Sequence, residues 1–94
     1  MLILAVTAPI KPELRDDAVQ IAVRMMAETR KEEGCLAYTF HSPVDDPNTI
    51  FVYEEWASEE ALNGHLQSAH MKVFQESMPA VLAGDVQVKK YIIP

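Results

Sequence analysis

Ninety-four residues fit one domain, 1–94, and leave no room for a second. Apolar residues make up 49% of the chain, which excludes a polymer that is disordered throughout. A formal charge of −6 argues against nucleic acid and anionic membrane surfaces as partners, because both need a basic face.

The opening Met1-Leu2-Ile3-Leu4-Ala5-Val6 is apolar but short, with no basic lead-in. It is expected to be a strand, ending at Pro9, rather than a signal peptide or a membrane span. Pro12 suits the first turn of a helix, where its missing N–H costs nothing. Leu14, Ala18, Ile21, Ala22, Met25 and Thr29 then recur at three- and four-residue steps as one buried stripe, with Arg15, Asp16, Gln20, Arg24 and Lys31 off it. Gly34 supplies a left-handed stop, so the pattern predicts a helix from about 12 to 33.

Cys35 to His41 reads as a strand, residues 42–49 as a turn-rich connection, and Ile50 to Trp56 as the strongest strand in the chain. Ser58 caps a helix with Glu59 and Glu60 in its first turn, running to about Leu66. Ser68 is a second cap, which predicts another helix over about 69–82, ending at Gly84. Val86 to Ile93 closes the chain as a strand. A single cysteine, Cys35, can form no internal disulfide, and a reducing cytoplasm is the default location.

The order strand, helix, strand, strand, helix, strand is the split βαβ arrangement: an α+β, ferredoxin-like βαββαβ fold with a four-stranded antiparallel sheet. Two helices cover one face of such a sheet. The other should then alternate to polar residues, yet Ile3 and Ala5 oppose Leu2, Leu4 and Val6, and Phe51 and Tyr53 oppose Ile50 and Val52. A second copy packed sheet to sheet would cover that face, so a homodimer is expected. Screening by long side chains such as Lys89 and Glu55 is the alternative.

Most catalytic signatures are absent. Three glycines form no phosphate loop, and there is no Gly-x-Ser-x-Gly elbow. His65 and His70 are five apart, whereas ligands on one helical face lie four apart. A metal site built from them would need the break at Ser68 to bring them together, and no metal is expected. The remaining candidates are Tyr38, Tyr53, Glu54, Trp56, His65 and His70, each with a bland reading beside the functional one. The aromatics are ordinary core-edge residues, Glu54 can serve the indole N–H, and His65 can be a satisfied helix histidine. His70 follows the Ser68 cap, where the helix dipole disfavours positive charge. Its neutral imidazole can take a proton there, or merely assist capping.

Glu33-Gly34-Cys35 with Tyr38 three residues later, Glu54-Glu55-Trp56, His65, Ser68-Ala69-His70, and Phe74 one turn on together resemble the antibiotic-biosynthesis monooxygenase family. The branch they are most similar to is the small quinol monooxygenases, and the resemblance runs from the first strand to Gly84. It implies a dimeric α/β barrel that oxygenates small phenols, quinols or related aromatics with O2, using no metal, flavin or other cofactor. Triplet oxygen reacts slowly with closed-shell organics, so the substrate itself must become an electron-rich anion. That requires a base, oxyanion donors and a largely dry cavity. By this resemblance His70 or His65 is the base, Tyr53 and Trp56 are further catalytic donors or ring platforms, and Tyr38, Glu54 and Phe74 contact substrate. The polyketide-oxidising branch carries Asn and Tyr where this chain has Val52 and Leu62, and the haem-degrading branch needs an Asn on the first strand, which is absent. The same family frame also holds isomerases of phosphorylated signalling sugars, for which Lys72 and the helix start at Ser68 would grip phosphate, and a non-catalytic binder is a third reading.

Overall fold

Strand β1 (Leu2–Pro9) lies between β3 (Thr49–Trp56) and β4 (Gln87–Ile92), and β3 lies between β1 and β2 (Cys35–His41). All neighbours are antiparallel, giving the order β2-β3-β1-β4 of a ferredoxin-like α+β fold in the computed structural model, which describes residues 1–94. The register pairs Leu2 with Trp56, Leu4 with Glu54, Val6 with Val52 and Ala8 with Ile50. Side chains alternate along a strand, so these residues share the face beneath the helices. Ile50, Val52, Glu54 and Trp56 are accordingly all buried. A bulge between Cys35 and Ala37 shifts the β2 register and sets Tyr38 opposite Glu54 on that same face.

Three α-helices cover it: α1 (Arg15–Thr29), α2 (Glu59–Leu66) and α3 (Ala69–Ser77). The α1 stripe packs as its spacing requires, with Ala18, Ala22, Met25 and Thr29 buried and Leu14 and Ile21 packed against the core. Ser58 and Ser68 each cap a helix, accepting from the N–H of Ala61 and Met71.

Three boundaries differ from those predicted. Pro12–Leu14 form a separate 3₁₀ turn, and α1 proper begins at Arg15. At its other end α1 stops at Thr29, four residues short, because the backbone tightens into three-residue turns: Lys31 N–H donates to Glu28 and Glu32 N–H to Thr29. Gly34 still takes the left-handed conformation, at φ 87°. Finally, α3 ends at Ser77 and passes into a 3₁₀ turn over Met78–Ala80, since Pro79 has no N–H to continue the α-helical ladder.

Apart from an ion pair between Lys90 and Glu59 at the start of α2, the helices leave β4 uncovered. All its residues are exposed, Val88 at 58% and Ile92 at 71%. The face away from the helices carries Ile3, Ala5, Phe51, Tyr53 and Tyr91 beside Glu55 and Lys89. No helix is long and apolar enough to cross a membrane.

Candidate functional site

The unwinding after α1 carries Glu32 to a point reached by two other elements. Its Oε2 lies 2.7 Å from Nδ1 of His65, in the last turn of α2, and 2.9 Å from Nε2 of His70, in the first turn of α3. The five-residue spacing of the histidines is bridged by the helix break at Gln67–Ser68, the route by which the sequence allows them to meet. The Ser68 hydroxyl donates to the His65 carbonyl at 2.7 Å and closes that break.

Ser68 also identifies the tautomer of His70. Its only proton is committed to the His65 carbonyl, so toward His70 Nε2, 3.2 Å away, it can only accept. Nε2 therefore carries a proton shared between Glu32 and Ser68, leaving Nδ1 with the lone pair. Glu32 accepts from Nδ1 of His65 in the same way. Burial is the larger influence on His65 and lowers its pKa; the Glu32 hydrogen bond opposes that. His65 is 2% exposed and His70 18%. One histidine is locked in the core while the other faces outward.

His70 opens onto a cavity of about 260 Å³ between α1 and α3. Its apolar wall is Ile21, Met25, Val73 and Phe74, and its polar rim includes Gln20 and Arg24. Both rim residues lie off the buried stripe and read as solvent residues in the sequence. Every lining residue belongs to α1 or α3, so the cavity lies between two helices and not between helices and sheet. Behind Phe74 runs a continuous aromatic seam. Phe74 meets Phe40 edge to face at 6.2 Å, Phe40 meets Tyr38 at 5.6 Å, and Tyr38 meets Trp56 at 6.4 Å and His65 at 5.5 Å.

Of the sequence-predicted site residues, His70 and Phe74 reach the cavity and His65 joins His70 through Glu32. Tyr38, Glu54 and Trp56 lie in the core behind it. The indole N–H of Trp56 donates to Glu54 at 2.9 Å, and burial, chiefly, raises the Glu54 pKa. Burial likewise raises the Tyr38 pKa, with the Glu54 carboxylate adding to it. The fully buried Thr29 hydroxyl faces that phenol without completing a hydrogen bond. Tyr53 points to the opposite face of the sheet, where its hydroxyl donates to Glu55 at 2.6 Å; period-two alternation separates it from Glu54 and Trp56. Lys72 is exposed and lies outside the cavity. Glu32 was not foreseen. The available signal was an acidic pair, Glu32-Glu33, at the end of a helix, where the dipole disfavours negative charge.

Residues 1–77 match the family model described as antibiotic biosynthesis monooxygenase. The chain belongs to this family. Relatives include an uncharacterized protein of Synechocystis, 26% identical over 98% of this chain, which spans only 63% of that protein's length. A Bacillus subtilis protein named "Putative monooxygenase YcnE" is 28% identical over 94% of this chain and 93% of its own. The Escherichia coli "Probable quinol monooxygenase YgiN" is 36% identical, over 51% of this chain and 54% of its own. A crystal structure described as an antibiotic biosynthesis monooxygenase superposes with a TM-score of 0.92, at 28% identity over the whole of both chains. A conserved Methanosarcina mazei protein gives 0.92 at 26% identity, over 96% of this chain and 89% of that one.

Proposed function

We propose that this family member is a cofactor-independent monooxygenase that oxidises a small phenol, quinol or related aromatic with O2, and that His70 is its base. The observation that carries this reading is the Glu32–His70 pair at the cavity wall, which holds Nε2 protonated and leaves Nδ1 free to accept. The carboxylate steadies the imidazolium formed when His70 takes the phenol proton. The cavity is at the small end for a ligand site and suits one or two fused rings. Its apolar wall favours the aromatic body.

The phenolate then passes one electron to O2, the radical pair combines at a hydrogen-bearing ring carbon ortho or para to the oxygen, the peroxide takes back the proton held on His70, and the resulting hydroperoxide loses water. The carbon loses its hydrogen and keeps one oxygen atom. Phenol and O2 thus become quinone and water, with every electron supplied by the substrate. The names of the YcnE and YgiN relatives agree with this class of reaction.

The active form in this reading is a cytoplasmic homodimer closed sheet to sheet. Supporting it are the apolar side chains on the helix-free face, Ile3, Ala5, Phe51 and Tyr91, and the uncovered β4. Oxygen uptake tests the chemistry, with heat-inactivated protein as the blank because hydroquinones autoxidise. Rates equal to that blank across several phenols and quinols would remove the proposal.

A further inference from the structure

The Glu32–His65–His70 cluster has a second capacity that the proton relay does not use. We propose that it is a binding site for a first-row divalent cation such as Zn²⁺, with Glu32 Oε2, His65 Nδ1 and His70 Nε2 as ligands. These three atoms all lie within 4.8 Å of one another and come from three separately anchored segments: the turn before Gly34, the end of α2 and the start of α3.

Two imidazole nitrogens and one carboxylate oxygen are the donor set of many three-ligand zinc sites that keep a fourth position open. Nitrogen donors disfavour Mg²⁺ and Ca²⁺, which want oxygen throughout. Ligands of a tetrahedral ion stand about 3.3 Å apart at metal–ligand distances of about 2.0 Å. The carboxylate now sits 2.7 and 2.9 Å from the two nitrogens, so it would need to recede by roughly half an ångström from each. The two nitrogens, within 4.8 Å of each other, would also have to close toward that spacing, chiefly by movement of the more exposed His70 ring. The ring of Trp56, 4.7 Å from that of His65, restrains the buried imidazole, while the contact of Ser68 with His70 Nε2 is one the ion would replace, leaving the His70 ring free to turn. The fourth position is open to a water or small ligand from the cavity onto which His70 faces.

Cation and proton relay exclude each other. Metal on Nδ1 of His65 and Nε2 of His70 displaces the protons those atoms give to Glu32, and each neutral ring then carries its proton on the other nitrogen. In His70 that nitrogen is Nδ1, the atom that acts as base in the metal-free protein. The site therefore predicts inhibition of the metal-free reaction by a cation, but its existence does not depend on that reaction.

The test is a titration of the chelator-treated protein, without substrate. Zn²⁺ should bind at one equivalent per chain by calorimetry and raise the thermal midpoint, and Co²⁺ should give the intense visible bands of a four-coordinate site. Glu32→Gln and His70→Ala should each weaken binding by at least roughly ten-fold, while His41→Ala, on the opposite sheet face, should leave it unchanged. In the wild-type protein, ring-nitrogen NMR resonances of His65 and His70 should move with Zn²⁺, a readout that needs no variant to fold. No saturable binding at micromolar cation, or binding that leaves those resonances unmoved, would overturn the proposal. So would affinity that survives both Glu32→Gln and His70→Ala.

Discussion

Glu32 and His70 are 38 residues apart in the chain and 2.9 Å apart in the fold, joined by one hydrogen bond that fixes which imidazole nitrogen is free. Glu32 does not line the cavity, so it acts through His70 as a positioning residue. Glu32→Gln keeps an acceptor but removes the charge that steadies the imidazolium. It should lower kcat by about ten-fold or more with KM little changed, in steady-state oxygen uptake. An equal loss expressed wholly in KM would mean that Glu32 shapes the pocket instead.

Gly34 is held by more than its left-handed backbone. A Cβ there would sit 2.5 Å from the Cβ of Ala61 on α2, and the Gly34 carbonyl accepts from Ala57 N–H at 2.8 Å. Strain and overlap combine, so Gly34→Ala should cost about 2–4 kcal/mol in urea unfolding. Gly64, within α2, meets nothing within 4 Å at the same construction. Gly64→Ala should therefore stabilise by up to about 1 kcal/mol. A milder effect at Gly34 than at an ordinary surface position would contradict the packing described.

The buried Glu54 gives stability a pH dependence of known sign. Its pKa is raised from the ordinary 4.5 in the folded chain, mainly by burial, so above that value the folded state holds the proton more tightly than the unfolded one. This contribution is complete below about pH 4.5 and is lost as pH rises through the folded-state pKa. Glu54→Gln retains an acceptor for the Trp56 indole and removes the titration. The stability of the variant relative to wild type should therefore increase from pH 4.5 upward, by denaturant titration at several pH values. A difference that shrinks over that range would reverse the assignment.

Much of the framework was legible in the sequence because it rests on periodicity and caps. The α1 stripe, the two serine caps, the Gly34 stop and the β3 alternation each announce themselves within a few residues. The site was half legible. His70 and Phe74 were singled out from their place after Ser68, and both reach the cavity. Tyr38, Glu54 and Trp56, grouped with them on sequence grounds, lie in the core behind the cavity, since strand alternation does not say how deep a residue lies. Glu32 is hard to single out because an acid just before a helix-stop glycine ordinarily faces water. Only the three-residue turns after Thr29 bring it inward.

The helix-free sheet face predicts self-association. Sedimentation at micromolar concentration should find a homodimer, and a stable 10.5 kDa species would remove the dimeric reading. Placing a charge on that face with Phe51→Arg should shift the equilibrium toward monomer while leaving the far-UV circular dichroism of the fold in place.

The most direct test of the central claim is oxygen uptake by the chelator-treated, flavin-free protein with a small hydroquinone or polycyclic phenol, comparing wild type, His70→Ala and Trp56→Phe against heat-inactivated blanks. The account predicts a wild-type rate above its blank and a loss of roughly 10²–10⁴-fold in His70→Ala, the usual contribution of a positioned acid–base group. Trp56 lies behind the cavity, 0% exposed, so Trp56→Phe should lose stability through the unpaired Glu54 yet keep most of the rate. A wild-type rate equal to the blank across the substrates, or an active enzyme indifferent to His70→Ala, would contradict the account.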